Sequence, residues 1–305
     1  MKTNFGVPYK GSKNSIAPWI VDLIPSADTF YDLFAGGCAV THCAMFSGKW
    51  NNFVCNDLDG GGINLFIDAI NGKFKNERRW ISRDDFFRFK DKDPFVKFCW
   101  SFGNNGKNYL YGRGIEAFKK KMHYYAFGDN LVFPGAVTDS KNPRDRMLFL
   151  KHYLIQNNKH SLQKGLVSLQ CLERLEILER LQHLQSLQSL ERLQSLQSLE
   201  SLQNIEMYKS DYRDVKIRPD SVVYCDIPYK GTDKYFNDFN YEDFYDWAIE
   251  KKEPIYISEY QMPERFHLIS KKIKRCNFNS NNKVTVENLY SNDAGFKLLN
   301  AGRLL

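Results

Sequence analysis

The sequence lacks several patterns, and each absence excludes a class of protein. No stretch approaches the ~20 apolar residues of a membrane-spanning helix, and the N-terminus leads into no apolar segment typical of a signal peptide. The seven cysteines form no Cys-x-x-Cys pair and no Cys/His array with metal-ligand spacing. A phosphate loop with Gly-Lys-Ser/Thr spacing is also absent. We therefore expect a cytoplasmic protein with reduced thiols, no membrane partner and no metal site.

Positive charge is present in excess but is spread unevenly. The net charge is +7, and residues 73–125 hold fourteen lysine and arginine residues against six acidic residues, a local charge of +8. The same window holds fourteen aromatic residues. Basic residues interleaved with aromatics are typical of a surface that follows nucleic-acid phosphates, although the aromatics equally suit the core of a helical domain. We predict that this window contacts nucleic acid.

Hydrophobic patterning predicts an α/β protein with an interruption in the middle. Near the N-terminus helix and strand patterns alternate as in a doubly wound parallel sheet. The helices fall at 14–24, 38–47 and 62–71, and the strands at 29–34 and 52–56. The middle carries helix-length patterns at 84–90, 114–124 and 143–157. Strand patterns resume at 205–208, 221–226 and 254–258, and a hairpin is predicted from 268–278 and 284–290.

Leucine recurs at every third position from Leu166 to Leu202. A period of three differs from the 3.6 of an α-helix and the 3.5 of a coiled coil, so successive leucines would rotate by about 60° around a helix. We interpret residues 161–205 as a low-complexity surface insertion without a catalytic role. Deletion of most of 166–202 is expected to spare catalysis, and self-association through this segment stays open.

The most informative stretch is Asp226-Ile227-Pro228-Tyr229, which follows an apolar strand-like run at 221–225. At the end of a parallel strand, the carboxylate and the Ile227 carbonyl can each accept a hydrogen bond from one exocyclic amino group. Tyr229 can stack on the ring that carries that group. Two acceptors orient the nitrogen lone pair for attack on an electrophile. A plain strand-to-loop turn would use the same residue types.

A glycine turn and a second strand-end acid lie in the N-terminal part. Residues 30–40 predict a buried strand that runs into Gly36 and Gly37 and then a helix, a turn that lets backbone approach a ligand. Asp57 ends the next strand about 20 residues on, the spacing typical of an acid that binds a ribose hydroxyl. This order of motifs is rarer than any one of them.

With these motifs in this order, the chain resembles the Dam-like, D12-class DNA adenine-N6 methyltransferases of bacteria and their phages. Residues 8–13 resemble the family's N-terminal cofactor motif, and residues 32–37 its Phe-x-Gly-x-Gly motif. Residues 210–212 resemble its short acidic motif, and 226–229 its Asp-Pro-Pro-Tyr catalytic motif. The resemblance implies methyl transfer from S-adenosylmethionine to adenine N6 of a base flipped out of double-stranded DNA.

The resemblance also implies domains and residue roles. It implies a Rossmann-like S-adenosylmethionine-dependent methyltransferase core at 1–78 and 206–305, with an inserted, mainly helical DNA-recognition domain at 79–160. The implied catalytic residues are Asp226, Ile227, Pro228 and Tyr229. The implied cofactor contacts are Tyr9, Lys13, Asp32, Phe34, Gly36, Gly37, Asp57 and Asp211. We also predict DNA contacts at Asn104 and Lys107, although their loop equally suits a plain hairpin turn.

Two positions depart from the family pattern, and rival functions remain. Cys38 stands where the family has its second glycine, and we expect its Cβ to crowd the cofactor or to favour a negative φ. Ile227 replaces a proline, which is tolerable because the backbone carbonyl is the group used. The rivals are N4-cytosine methylation, a decayed core that only binds nucleic acid, and methylation of RNA or of a protein glutamine amide.

Overall fold

The structure is a computed structural model, and it describes residues 4–163, 185–196, 204–230, 239–276 and 283–301. The chain divides into two compact units. The first unit comprises Met1–Asn71 and Leu196–Leu305, and the second comprises Gly72–Ser195. The chain thus leaves the first unit once and returns to it.

The first unit is built on a seven-stranded sheet with the order β3-β2-β1-β4-β5-β7-β6. The strands are β1 (Thr29–Asp32), β2 (Asn52–Asn56), β3 (Ile205–Tyr208), β4 (Ser221–Cys225), β5 (Ile255–Glu259), β6 (His267–Cys276) and β7 (Lys283–Ser291). Neighbours from β3 to β5 pair in parallel, whereas β7 pairs antiparallel with both β5 and β6. The predicted α/β class and the C-terminal hairpin are therefore confirmed.

The α-helices of the described residues, in chain order, are α1 (Ala17–Leu23), α2 (Ala39–Met45), α3 (Gly61–Ile70), α4 (Arg83–Phe89), α5 (Pro94–Cys99), α6 (Arg113–Ala126), α7 (Pro143–Gln163), α8 (Gln185–Ser195), α9 (Tyr241–Glu250) and α10 (Asp293–Ala301). Sequence patterning missed α5, α8, α9 and α10. Local rules explain α5 and α9, since Pro94 opens α5, and Asn240 accepts the N–H groups of Glu242 and Asp243 at the start of α9.

Burial explains why the central strands carry continuous apolar runs. Every residue of β1, β4 and β5 is buried, as expected for parallel strands covered on both faces. On one face the core joins Val223 and Ile257 of the sheet to Phe244 of α9 and to Tyr212. This packing holds the strand ends in fixed positions, and the predicted site residues follow those ends.

The described residues of the second unit form helices around an aromatic centre. Trp80 stacks on Tyr111 with ring centroids 5.5 Å apart, and it meets Trp100 edge-on at 5.0 Å. Several rings of the basic window are therefore core, whereas Phe87 and Phe102 are exposed. The role of this unit in DNA recognition stays a prediction.

Part of the leucine-triplet segment is a packed helix. In α8, Leu187, Leu190 and Leu193 are buried, whereas Gln188 and Glu191 are exposed. Three leucines that rotate by about 60° each span only about 120°, so a helix of this length keeps them on one face. We expected a surface insertion, and α8 instead contributes to the core of the second unit. The other leucines of the series lie outside the described residues, apart from Leu196, which is buried.

Among the described residues, the helices include none that is both long enough and apolar enough to span a membrane.

Candidate active site

The predicted catalytic and cofactor motifs of the first unit follow the carboxyl ends of the parallel strands. β1 lies between β2 and β4, so the chain order reverses there, and such a switch point opens a crevice at the carboxyl edge. The glycine turn follows β1, Asp57 follows β2, and Asp226 follows β4. Sequence motifs that are far apart in the chain therefore share one edge of the sheet.

Close backbone approach explains the glycines after β1. Gly36 has a φ of +48°, and a Cβ added at Gly62 would lie 1.9 Å from the Gly36 carbonyl oxygen. Tyr9 packs on the same turn, since a Cβ added at Gly37 would lie 2.6 Å from the Tyr9 Cβ. The backbone of the turn therefore touches both the start of α3 and the Tyr9 side chain. This packing leaves no room for a side chain at Gly36, Gly37 or Gly62.

Asp57 links the glycine turn to the loop after β2 through hydrogen bonds. Its Oδ2 accepts the Gly36 N–H at 2.9 Å, and its Oδ1 accepts the Asp59 N–H at 3.0 Å. Burial raises the pKa of Asp57, although these N–H groups act in the opposite direction. Each carboxylate oxygen retains acceptor capacity, so a ribose hydroxyl remains a chemically suitable partner.

Asp32 lies inside the protein instead of lining the crevice. It is 2% exposed, and Thr41 Oγ1 donates to its Oδ2 at 2.8 Å. Among the residues that the structure describes, its Oδ1 has no hydrogen-bond partner. Burial raises the pKa of Asp32 to about 7, and the charges of Asp226 and Asp57 act in the same direction. Asp32 would therefore affect cofactor binding indirectly, by holding the glycine turn after β1 in position.

Cys38 adopts a backbone conformation that the sequence did not predict. Its φ is +56°, in the left-handed region, so the expectation of a negative φ is wrong. The thiol is fully buried beside Cys55, and burial raises its pKa well above the ordinary value. The turn thus keeps the conformation that a glycine would take, at the cost of strain at Cys38.

Phe34 and Asp211 lie next to Tyr212 in the loops after β1 and β3. The Phe34 ring centroid is 5.4 Å from that of Tyr212, which also meets Phe244 of the core at 5.4 Å. The carboxylate of Asp211 pairs with Arg213 through two contacts of 2.8 Å, and a hydrogen bond from Arg213 lowers the pKa of Asp211. An aromatic wall beside a carboxylate suits the edge and face of an adenine ring.

Lys13, a predicted cofactor contact, lies against the predicted catalytic motif. Its Nζ is 2.9 Å from Asp226 Oδ1 and 3.9 Å from Glu287 Oε2, and it lies 4.3 Å from the centre of the Tyr229 ring. Burial by itself would lower the pKa of Lys13, but Asp226 and Glu287 together raise it. Ile227 is buried and Pro228 is half-buried, so packing holds the backbone of the motif in place directly after β4.

Two further acids lie at this site, and sequence reasoning missed both. Glu287 of β7 accepts the Tyr229 hydroxyl hydrogen bond at 2.5 Å. Glu259, the last residue of β5, accepts the Tyr260 N–H at 2.7 Å, and burial raises its pKa to about 7. The strand-end rule that selected Asp226 would also have selected Glu259. Glu287 carries no such signal, because it lies within a strand of the C-terminal hairpin.

Asn104 and Lys107 belong to the second unit. Asn104 has a φ of +55°, and its side-chain amide donates to the Phe98 carbonyl at 2.8 Å. Lys107 is exposed in the same loop. The Asn104 amide therefore supports the loop, and the predicted DNA contacts of both residues stay predictions.

The residues at the carboxyl edge fit S-adenosylmethionine as a chemical group. Phe34 and Asp211 suit its adenine, Asp57 suits its ribose, and the packed turn at Gly36 and Gly37 brings backbone close to the crevice. The described residues contain no group of three or more His, Cys, Asp or Glu that could hold a metal ion. These assignments stay predictions, because the fit concerns donor types and positions alone.

Comparison with known families gives a match over the N-terminal part of the chain. Residues 9–123 match the D12 class N6 adenine-specific DNA methyltransferases. A search of curated proteins gives no match. The matched segment contains the glycine turn and Asp57, and it ends before Asp211 and Asp226. The resemblance stated from the sequence is therefore confirmed, and so is the prediction of an adenine-specific DNA methyltransferase enzyme.

Proposed function

Because residues 9–123 match the D12 class of N6 adenine-specific DNA methyltransferases, we propose that this chain methylates adenine N6 at specific sites in double-stranded DNA. The methyl donor is S-adenosylmethionine, and the target base is flipped out of the duplex before the reaction. The observation that carries the proposal is the cluster of Asp226, Tyr229 and Lys13 at the end of β4.

Asp226 and Ile227 act on the amino group of the target. The Asp226 carboxylate and the Ile227 carbonyl each accept one N6 hydrogen, which turns the nitrogen lone pair away from the purine ring and toward the donor methyl. Asp226 then accepts the proton that the nitrogen loses on becoming a secondary amine. Lys13 holds the carboxylate in one orientation through the 2.9 Å ion pair.

Tyr229 supports the face of the flipped purine. The energy of unstacking a base is partly recovered when an aromatic ring replaces the neighbouring bases, and such a contact contributes about 1–3 kcal/mol. S-adenosylmethionine supplies a methyl group on a sulfonium, which needs no nucleophile from the protein. Gly36, Gly37, Tyr9 and Asp57 would hold it on the β1–β2 side of the crevice.

The test is transfer of labelled methyl from S-adenosylmethionine to unmethylated duplex DNA, followed by digestion to nucleosides. We expect the label in N6-methyladenine nucleoside. Label in N4-methylcytosine nucleoside would instead support N4-cytosine methylation, since Asp226 and Ile227 can hold any exocyclic amine.

A second measurement separates a decayed core from a different substrate. S-adenosylmethionine binding is measured by calorimetry on the same preparation. If neither binding nor transfer occurs, the chain is a nucleic-acid-binding protein with a decayed core, and the proposal is wrong. Binding without transfer to DNA would direct the assay to RNA and to protein glutamine amides.

A further inference from the structure

A buried acid outside the matched segment contacts the proposed catalytic residue Tyr229 and lies close to Lys13. Glu287 lies in β7, far along the chain from Asp226, and is 4% exposed. A buried carboxylate is unfavourable unless it is hydrogen-bonded and paired with a cation. The Oε2 of Glu287 has both kinds of partner, the Tyr229 hydroxyl at 2.5 Å and the Lys13 ammonium at 3.9 Å. Its burial is thus tied to the site itself.

The Tyr229 ring is held at several points. Its hydroxyl is held by Glu287, the Tyr260 ring meets it edge-on with centroids 4.5 Å apart, and Lys13 lies 4.3 Å from its centre. Of these contacts, the hydroxyl bond acts farthest from the backbone, so it restrains the swing of the ring about χ1. The hydroxyl lies on the χ2 axis, so the contacts of the ring with Tyr260 and Lys13 restrain its rotation about χ2. A stacking platform acts only while its plane is fixed.

Lys13 connects the same acid to Asp226. The ammonium stands between two carboxylates, in direct contact with Asp226 and 1 Å farther from Glu287. Asn288, the next residue of β7, donates to the Tyr260 carbonyl at 2.6 Å. Two neighbouring residues of β7 therefore contact this part of the site. Glu287 contacts Tyr229 and lies near Lys13, and Asn288 contacts Tyr260.

We propose that Glu287 is a positioning residue for the methyl transfer, which fixes the Tyr229 ring through its hydroxyl and steadies Asp226 through Lys13. The inference rests on the proposed function, because it assigns Tyr229 and Asp226 their roles there. It adds a residue from the C-terminal hairpin to a site otherwise built from the ends of parallel strands and from the segment before α1.

The test compares Glu287→Met, Glu287→Gln, Tyr229→Phe and the double variant Glu287→Met/Tyr229→Phe by steady-state kinetics on duplex DNA. Methionine fills the volume without a strong acceptor, and phenylalanine removes only the hydroxyl. We expect kcat to fall about 10- to 100-fold in Glu287→Met, with S-adenosylmethionine affinity within a few-fold of wild type. Glutamine retains an acceptor oxygen and should restore most of kcat.

The double variant distinguishes positioning from general support of the fold. If Glu287 acts through the Tyr229 hydroxyl, the double variant loses little more than the larger single loss. The inference would be overturned if the loss of kcat in the double variant equalled the product of the two single losses. It would also be overturned if Glu287→Met and Tyr229→Phe both kept wild-type kcat. If Glu287→Met does not fold, Tyr229→Phe decides alone, because it leaves the acid in place.

Two matched controls remove similar groups elsewhere in the first unit. Glu264→Ala removes an exposed acid, and Tyr256→Phe removes a buried hydroxyl that donates to the Gly295 carbonyl at 3.0 Å. Both should keep wild-type kcat. A wild-type protein that does not label adenine would contradict the proposed function, whereas labelled adenine with unaffected variants would contradict only the role of Glu287.

Discussion

Under the proposed function, single residues at the strand ends carry the chemistry, and the neighbours of each residue determine its electrostatic surroundings. Asp226 has a lysine at 2.9 Å, whereas Asp32 has one hydroxyl donor and is buried. The two aspartates therefore differ in their electrostatic surroundings, since one is paired with a cation and the other is buried. The partnered acid suits recognition of an amino group, and the buried acid affects the stability of the fold.

Asp226→Asn should abolish methyl transfer and leave cofactor affinity within a few-fold of wild type. The amide cannot take up a proton, and it presents hydrogen-bond donors where the target also has donors. Filter-binding transfer assays and calorimetry with S-adenosylmethionine measure the two quantities. A large loss of cofactor affinity would show that Asp226 faces the donor instead of the target.

Asp32→Asn should flatten the dependence of stability on pH. The folded protein keeps the Asp32 proton up to about pH 7, whereas the unfolded chain releases it near 3.8. The folded state then binds more protons in this window, so wild-type stability falls as pH rises through it, by on the order of 4 kcal/mol at most. Melting temperatures of both proteins at pH 5 and pH 8 measure the difference, and parallel shifts would contradict it. Glu259 has a similarly raised pKa and should leave a residual slope in the variant.

At the scale of elements, the site depends on loops that approach each other at backbone distance. The start of α3 meets the turn after β1 so closely that no side chain fits at Gly62. The hydrogen bond from Gly36 to Asp57 spans the same junction. A shift in any one of these three segments (the turn after β1, the start of α3 and the loop after β2) therefore displaces the other two.

Gly62→Ala should destabilise the protein and weaken cofactor binding together. The added Cβ would lie 1.9 Å from the Gly36 oxygen, so the backbone must shift, at a cost of about 1–3 kcal/mol or more. Urea unfolding and calorimetry with S-adenosylmethionine measure the two effects. Gly114→Ala in α6 is the control, because its Cβ would meet nothing within 4 Å. Unchanged stability in Gly62→Ala would contradict the close approach.

The packed helix α8 changes the prediction for the leucine-triplet segment. Leu193 is fully buried, so Leu193→Ala should cost about 2–5 kcal/mol of stability. Gln188→Ala, on the exposed face, should stay within about 0.5 kcal/mol of wild type. Deletion of 166–202 is now expected to unfold the second unit. If the deletion variant folds and methylates DNA, the original interpretation as a dispensable insertion holds.

At the scale of the whole molecule, positive charge is concentrated in the second unit, whereas the acids of the candidate site lie in the first. Lys120 and Lys121 are exposed on α6, within the basic window of the sequence. Neutralised phosphates release counterions, so affinity for duplex DNA should fall steeply with salt.

Lys120→Gln/Lys121→Gln should weaken DNA binding without changing S-adenosylmethionine affinity. If both lysines neutralise phosphates, the slope of log K against log salt should become shallower by about 2. The matched control is Lys271→Gln/Lys272→Gln, an exposed pair on β6 in the other unit. Equal losses from the two pairs would indicate general attraction by net charge, and an unchanged slope in the α6 pair would exclude α6 as a phosphate-binding surface.

The sequence by itself determined the sheet and the order of the motifs. Apolar strand runs followed by Asp57 and Asp226 are local patterns, because burial on both faces demands continuous apolar residues and strand ends tolerate acids. The same patterns predicted helix α6 and the hairpin of β6 and β7 nearly to their observed bounds.

Only the tertiary structure decided which groups meet. The conformation of Cys38 depends on the packed turn around it, which overrides the ordinary preference for negative φ. The pairing of Lys13 with Asp226, and the contact of Glu287 with Tyr229, join residues far apart in sequence across separately formed elements. No local pattern encodes such contacts, since the sheet order that brings β7 beside β5 results from the burial of the whole unit.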